Sequence, residues 1–154
     1  MLSPSAAARL ATQLECLPIL LDGASPEALG RRTPSGRWSV HENLAHLARH
    51  HAVFLARVHR VLSEDSPALP RYAAEEDPEW PAWSALPPGE VLERLRSRRL
   101  ELMTLVSGLS DEALARTARH PVFGPMALTV WIEFFLLHEA HHLFAILKRA
   151  RGGE

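Results

Sequence analysis

The sequence predicts an all-α protein, a four-helix bundle with one long crossover between the second and third helices. Three observations carry that reading. Four segments repeat their apolar residues at helical spacing. No stretch of useful length alternates with the period of a strand. One Pro-rich passage, Ser66 to Gly89, separates the second helical segment from the third.

The first segment runs from about Ser5 to Leu21 and sets Leu10, Leu14, Leu17 and Leu21 on one stripe. The second begins sharply at Ser39. Glu42 lies three residues on, so the pair reads as a capping box, with Trp38 just ahead of it. That helix continues to about Leu62 through Leu44, Leu47, Val53, Phe54, Val58 and Val61. The connection after it holds Pro67, Pro70, Pro78, Pro81, Pro87 and Pro88. Proline lacks the backbone donor and clashes with the preceding helical turn, so this passage is a connection and not a core element. A connection of this length can carry the chain from one end of a bundle to the other, which sets the second and third helices parallel. The third helix spans about Glu90 to Ser107 and stops at Gly108. Ser110-Asp111-Glu112 caps one further short helix to about Thr117, His120 to Pro125 forms a turn, and the fourth long helix follows from about Ala127 to Arg149.

At 154 residues the chain is read as one domain, residues 1–154, long enough to bury a core. A hydrophobic share of 47% with 23% charged residues is that of a globular protein and excludes a disordered one. The net charge of −1 gives no electrostatic argument for nucleic acid or an anionic membrane as partner. The run Arg94, Arg96, Arg98 and Arg99 reads as a solvated helix face. Cys16 is the single cysteine, so no intrachain disulfide forms, and a small buried hydrophobe is its expected role. The N-terminus shows no basic segment followed by an apolar one, and the best candidate span is interrupted by Glu133 and His138. A cytoplasmic protein without membrane segments is expected.

The chemistry concentrates in His138-Glu139-Ala140-His141-His142, late in the apolar fourth helix. His138 and His142 are four residues apart and stack one turn above the other, a spacing at which two imidazoles can share a transition-metal ion. Burying two basic rings otherwise costs free energy without return. Trp131, Phe135 and Ala145 share their face, which makes it the core-directed one, while His141 lies nearer an exposed edge. The string also matches the zinc-protease pattern H-E-x-x-H. That reading is weak here, because such sites usually take a third ligand from downstream, and the only carboxylate after His142 is the terminal Glu154. The third ligand is better sought among the four histidines of helix two. His46 sits between Leu44 and Leu47 near the inward stripe; His50, one turn on, is its competitor or a fourth ligand; His41 and His51 are expected to face solvent. Glu139 is the acidic neighbour of a ligand, a candidate base against which stands an ordinary solvated or salt-bridging glutamate. Tyr72, Trp80 and Trp83 in the crossover either line a ligand mouth or cover the bundle.

At this point the chain resembles the DinB/YfiT-like superfamily, all-α bundles that bind a divalent metal. The matching residues are the Trp-Ser-x-x-Glu-Asn-Leu-x-His-Leu string that runs from Trp38 through His46 to Leu47, and the pair His138 and His142. The resemblance implies a three-histidine site of His46, His138 and His142 holding nickel or zinc, and a homodimer. It also implies transfer of a low-molecular-weight thiol, such as bacillithiol or mycothiol, to an electrophilic small-molecule substrate, or thiol-dependent isomerisation.

Three neutral imidazoles leave a divalent ion its full charge and at least one open position, which favours a thiolate or hydroxide. Attack by thiolate is the transferase reading and attack by hydroxide the hydrolase reading. A non-catalytic metal-binding bundle is the third; a closed structural site would usually have four protein ligands, often with cysteine.

Overall fold

Local signals explain where each element of the computed structural model, which describes residues 1–153, begins and ends. Helix α1 (Pro4–Thr12) is capped by Ser3, whose Oγ accepts from the Ala6 amide at 3.1 Å. The chain tightens through a 3₁₀ turn, Gln13–Cys16, into α2 (Leu17–Leu21). The single first helix expected is thus one rod with a tightened joint, placed where Pro18 withholds its donor from the turn before it. Ser25 caps a short helix that the sequence reading did not anticipate, α3 (Pro26–Gly30).

Helix α4 (Val40–Ser63) opens on the expected capping box: Ser39 Oγ accepts from the Glu42 amide at 3.1 Å, and Glu42 Oε2 accepts from the Ser39 amide at 2.9 Å. The crossover holds a 3₁₀ turn at Ala74–Glu76 and a short helix α5 (Trp80–Ser84). Arg49 pins it, donating to Asp77 at 2.7 Å, and the Tyr72 hydroxyl donates to the same carboxylate at 3.1 Å. Helix α6 (Pro88–Ser107) follows, then α7 (Asp111–Ala115), capped by Ser110 as expected, and α8 (Leu128–Ala150).

One expectation is corrected. Between α7 and α8 the chain forms an antiparallel hairpin, β1 (Thr117–His120) and β2 (Gly124–Ala127), paired Thr117 with Ala127 through His120 with Gly124. Four residues per strand are too few for an alternating pattern to stand out, and half of that stretch was read as a bare turn. Gly124 at φ +69° supplies the left-handed residue that restarts the second strand. The crossover leans on this hairpin, Leu69 donating to the Arg119 carbonyl at 3.0 Å and Arg119 to Pro67 at 2.9 Å.

Helices α4 and α6 run parallel, as the crossover requires. Val91 and Leu95 pack at the level of Val40 to Ala48, whereas Leu102 and Val106 pack at the level of Phe54 to Val61. Helix α8 runs antiparallel to α4, with Asn43 meeting His142 and Phe54 stacking on Phe135. The core is therefore split. One apolar cluster fills the end around Phe54, Leu102, Trp131 and Ile132, and another fills the end around Leu44, Leu95, Leu143 and Ile146. Between them lies a buried polar layer of His46, His50, His51, Arg99 and Glu139. Helix α8 is long and apolar enough by composition to cross a membrane, but Trp131, Ile132, Phe135, Leu136 and Ile146 are spent on this core.

Candidate metal centre

The polar layer brings His46, His138 and His142 together, each offering one ring nitrogen, all within 4.8 Å of one another. His46 Nε2 and His138 Nε2 are 3.1 Å apart. Ligand atoms around one tetrahedral ion sit about 3.3 Å apart when each metal–nitrogen bond is about 2.0–2.1 Å, so the spacing fits a shared cation. The state of His142 follows from its neighbour. Asn43 Nδ2 donates to the Ser39 carbonyl at 2.8 Å, which turns the amide oxygen toward the ring. That oxygen accepts from His142 Nδ1 at 2.8 Å, so the proton stays on Nδ1 and the Nε2 lone pair is free.

Burial holds all three rings neutral, the form in which imidazole ligates. It pushes His46 down to about 3, with the neighbouring His138 adding to the effect. It pushes His138 down to about 4, and His142, which also faces His46 and His138, to about 2. The Nδ1 atoms of His46 and His138 are buried with no hydrogen-bonding partner among the described residues. Converging neutral rings in this state cost desolvation that a cation at their Nε2 atoms would offset.

Aromatic side chains cover the triad. Trp38 lies 5.0 Å from the His46 ring and stacks on Trp80 at 5.0 Å, while Tyr72 stacks on His46 at 5.8 Å. Of the crossover aromatics, Tyr72 and Trp80 border the site, and Trp83 is buried in the apolar cluster below. His50 packs its ring parallel to Phe135 at 5.7 Å and beside Tyr72, outside the converging set of three. Its Nδ1 also lacks a partner among the described residues, and burial pushes the ring well below the ordinary histidine range. His141 is exposed, as expected, and Glu154 lies outside the described residues.

Three expectations about single residues are corrected. His51 is fully buried, donating from Nδ1 to the Leu47 carbonyl at 2.7 Å. His41 is half-buried and donates to the Ser84 carbonyl of the crossover at 3.0 Å. Both errors share a cause: α4 is enclosed by α6, α8 and the crossover, so its buried arc is far wider than one stripe. Arg99 is also buried, 5% exposed, and not part of a solvated face. Cys16 is half-buried, and burial pushes its thiol up, away from thiolate character.

Arg99 belongs to a network that sequence reasoning missed. Glu139 is 0% exposed and engages both oxygens: Gln13 donates to Oε1 at 2.8 Å, and the Arg99 guanidinium pairs with Oε2. His51 Nε2 lies 3.3 Å from that oxygen and accepts from Arg99 Nε at 3.2 Å, so Arg99 carries the neutralising charge. Burial would raise the Glu139 carboxyl, and the hydrogen bonds and positive charge around it more than offset this, holding it below the usual range. Arg99 also donates to the Leu10 carbonyl at 3.0 Å, so the network joins α1, α4, α6 and α8 directly behind the triad. The signal was present. Val91, Leu95, Arg99, Leu102 and Val106 fall in one helical register, which makes Arg99 the odd member of an apolar stripe.

Comparison with known proteins agrees with this geometry. A family model described as the DinB superfamily matches residues 9–146. A relative from Oceanobacillus iheyensis, named "Putative metal-dependent hydrolase OB0782", is 27% identical over 135 residues, 85% of this chain and 78% of its own length. A Bacillus cereus protein named "Putative metal-dependent hydrolase" is 31% identical over 107 residues, 70% of this chain; the chain spans 61% of that relative's length. Among solved structures, YfiT from Bacillus subtilis, described as "a probable metal-dependent hydrolase with an unusual four-helix bundle topology", matches with a TM-score of 0.80. It is 21% identical, with 100% of this chain and 92% of that chain covered, and the likeness is one of fold.

Proposed function

The chain belongs to the DinB superfamily, and from that premise we propose that it is a metal-dependent enzyme acting on a small electrophilic molecule, with a low-molecular-weight thiol as nucleophile. The observation that carries the metal reading is the convergence of His46, His138 and His142 with a free Nε2 on His142. Those three residues would hold the ion, zinc or nickel, and leave it an open position. A divalent ion there supplies the positive charge that lowers the pKa of a coordinating thiol or water.

The chain's own residues do the rest. Asn43 fixes the His142 tautomer, Trp38 and Trp80 cover one side of the triad, and the network behind it joins α4 to α8. The state of Glu139 narrows the hydrolytic alternative. Both its oxygens are engaged behind the site, so it does not serve as a base for water, and hydrolysis would depend on the metal alone to activate it. Hydrolysis is the second reading, supported by the names that the relatives carry.

The test is metal content after equilibration with limiting zinc or nickel, beside a His142→Ala variant, followed by turnover of an activated aryl halide and an aryl ester. Near one ion per chain, lost in the variant, with consumption of the halide only when a thiol is present, is the expected result. Ester turnover without thiol would replace the transferase by the hydrolase. Absence of metal from both proteins would remove both.

Asn43 offers a sharper check. Replacing it with Ala is expected to weaken zinc binding about 10- to 100-fold, the usual effect of losing a partner that orients a ligand. Competition against a chromophoric chelator measures this, and an affinity within twofold of the parent protein would show that Asn43 does not set the His142 tautomer.

A further inference from the structure

Beside the triad, a cavity of about 510 Å³ has His142 and Asn43 in its wall. Its volume is in the range of small-molecule sites, roughly 300–1,000 Å³. The side chains around it are unbalanced in charge. Arg37, Lys148 and Arg149 line it against one carboxylate, Glu75, in a chain whose net charge is −1. Arg9, Arg49, Arg94 and Arg98 each face a carboxylate at ion-pair distance, whereas the side chains of Arg37 and Lys148 have no such partner among the described residues. Arg149 spends Nη1 on the Gly153 carbonyl at 3.2 Å, and its Nε is buried without a partner among the described residues.

Basic residues in the last turn of a helix complement its dipole, and that accounts for Lys148 and Arg149 by themselves. It does not account for Arg37, which comes from the loop before α4 and lines the same cavity. Trp38 and Phe144 add apolar wall, and Phe144 stands 63% open to solvent. Guanidinium and ammonium groups that share a cavity wall with aromatic side chains and with His142 match one kind of ligand.

We propose that this cavity binds the anionic group of the substrate, a carboxylate or phosphate on a molecule with an apolar or aromatic body, through Arg37 and Lys148, with the reacting end directed to the triad at His142. The orientation rests on the triad being the reaction centre; the anion binding does not, because none of its residues needs a metal. The two sources of negative charge are separable by experiment, and so are the two proposals.

The test titrates benzoate, phenyl phosphate and neutral benzamide into the metal-free protein, followed by ligand-observed NMR. A double variant, Arg37→Ala with Lys148→Ala, is treated in the same way. Benzoate or phenyl phosphate is expected to bind at least about tenfold more tightly than benzamide, about 1.4 kcal/mol, and the preferred anion identifies the group. That preference should shrink with added salt and vanish in the double variant, whose melting temperature and zinc content stay at parental values. Benzamide binding as well as either anion, or anion binding unchanged in the double variant, would overturn the assignment. Selective anion binding by a parent protein that takes up no zinc would sustain the cavity and remove the metal reading instead.

Discussion

Replacing Arg99 with Ala is expected to lower the free energy of unfolding by about 3–5 kcal/mol, the typical cost of breaking a buried ion pair by deleting one partner. The expectation follows from what would be left behind. Glu139 is 0% exposed and its carboxyl is held below the usual range by its neighbours, so without Arg99 it is a buried charge with only Gln13 and His51 beside it. The Leu10 carbonyl and His51 Nε2 lose their donor in the same step. Removing both charges is a different matter. A double variant, Arg99→Met with Glu139→Leu, replaces the pair by apolar groups of similar size and should recover most of the loss, since the desolvation penalty disappears with the charges. Urea unfolding of the parent, both single variants and the double variant measures the coupling. A loss below about 1 kcal/mol in Arg99→Ala would mean that water reaches Glu139 and that the network is not the bundle's buried clasp.

How much of this was legible in the sequence depends on how many neighbours an element has. Helix α8 was read well, because its face of Trp131, Phe135, His138 and His142 looks onto α4 and each residue could be placed by angle alone. The entry to α4 was equally plain, since a capping box is a local device that needs no tertiary partner. The crossover's length carried the parallel arrangement of α4 and α6. What failed was the far side of α4. His51 lies about 140° from His46 around the helix, a direction that is solvent in a helix with one buried stripe and core in a helix packed on several sides. Arg99 was misread for the complementary reason: its charge was weighed with the neighbouring arginines, and its register with Leu95 and Leu102 was not. The hairpin was beyond reach because its strands are held by pairing between residues and by the crossover, not by their own periodicity. The partner that fixes His142, Asn43, falls inside the string that carried the family resemblance, yet only the structure shows where its amide points.

The same buried rings make the metal-free protein acid-sensitive. In the unfolded chain each histidine titrates near its ordinary value of about 6.5, whereas in the folded protein burial lowers His46 to about 3, His138 to about 4 and His142 to about 2. As pH falls below 6.5, the unfolded chain takes up protons that the folded one refuses, so stability falls with pH and levels off only when the folded values are reached. Each histidine contributes at most about 1.4 kcal/mol per pH unit, the three together about 4, and His50, which burial also holds low, adds to the same slope. Set against a total stability of about 5–15 kcal/mol for a domain, that slope is expected to unfold the metal-free protein before pH 4. Glu139, whose folded value is also lowered, adds to the loss only below the ordinary carboxylate range. Far-ultraviolet circular dichroism against pH, combined with urea at each pH, gives the slope. His142→Asn should make it shallower by at most about 1.4 kcal/mol per pH unit, because one of the refused protons is gone. Zinc at about a thousand times its Kd should add about 4 kcal/mol and shift the acid transition down by about one pH unit. A stability that stays flat from pH 7 to pH 5 would mean that the triad already carries a proton in the folded protein, and three converging neutral ligands would no longer describe the site.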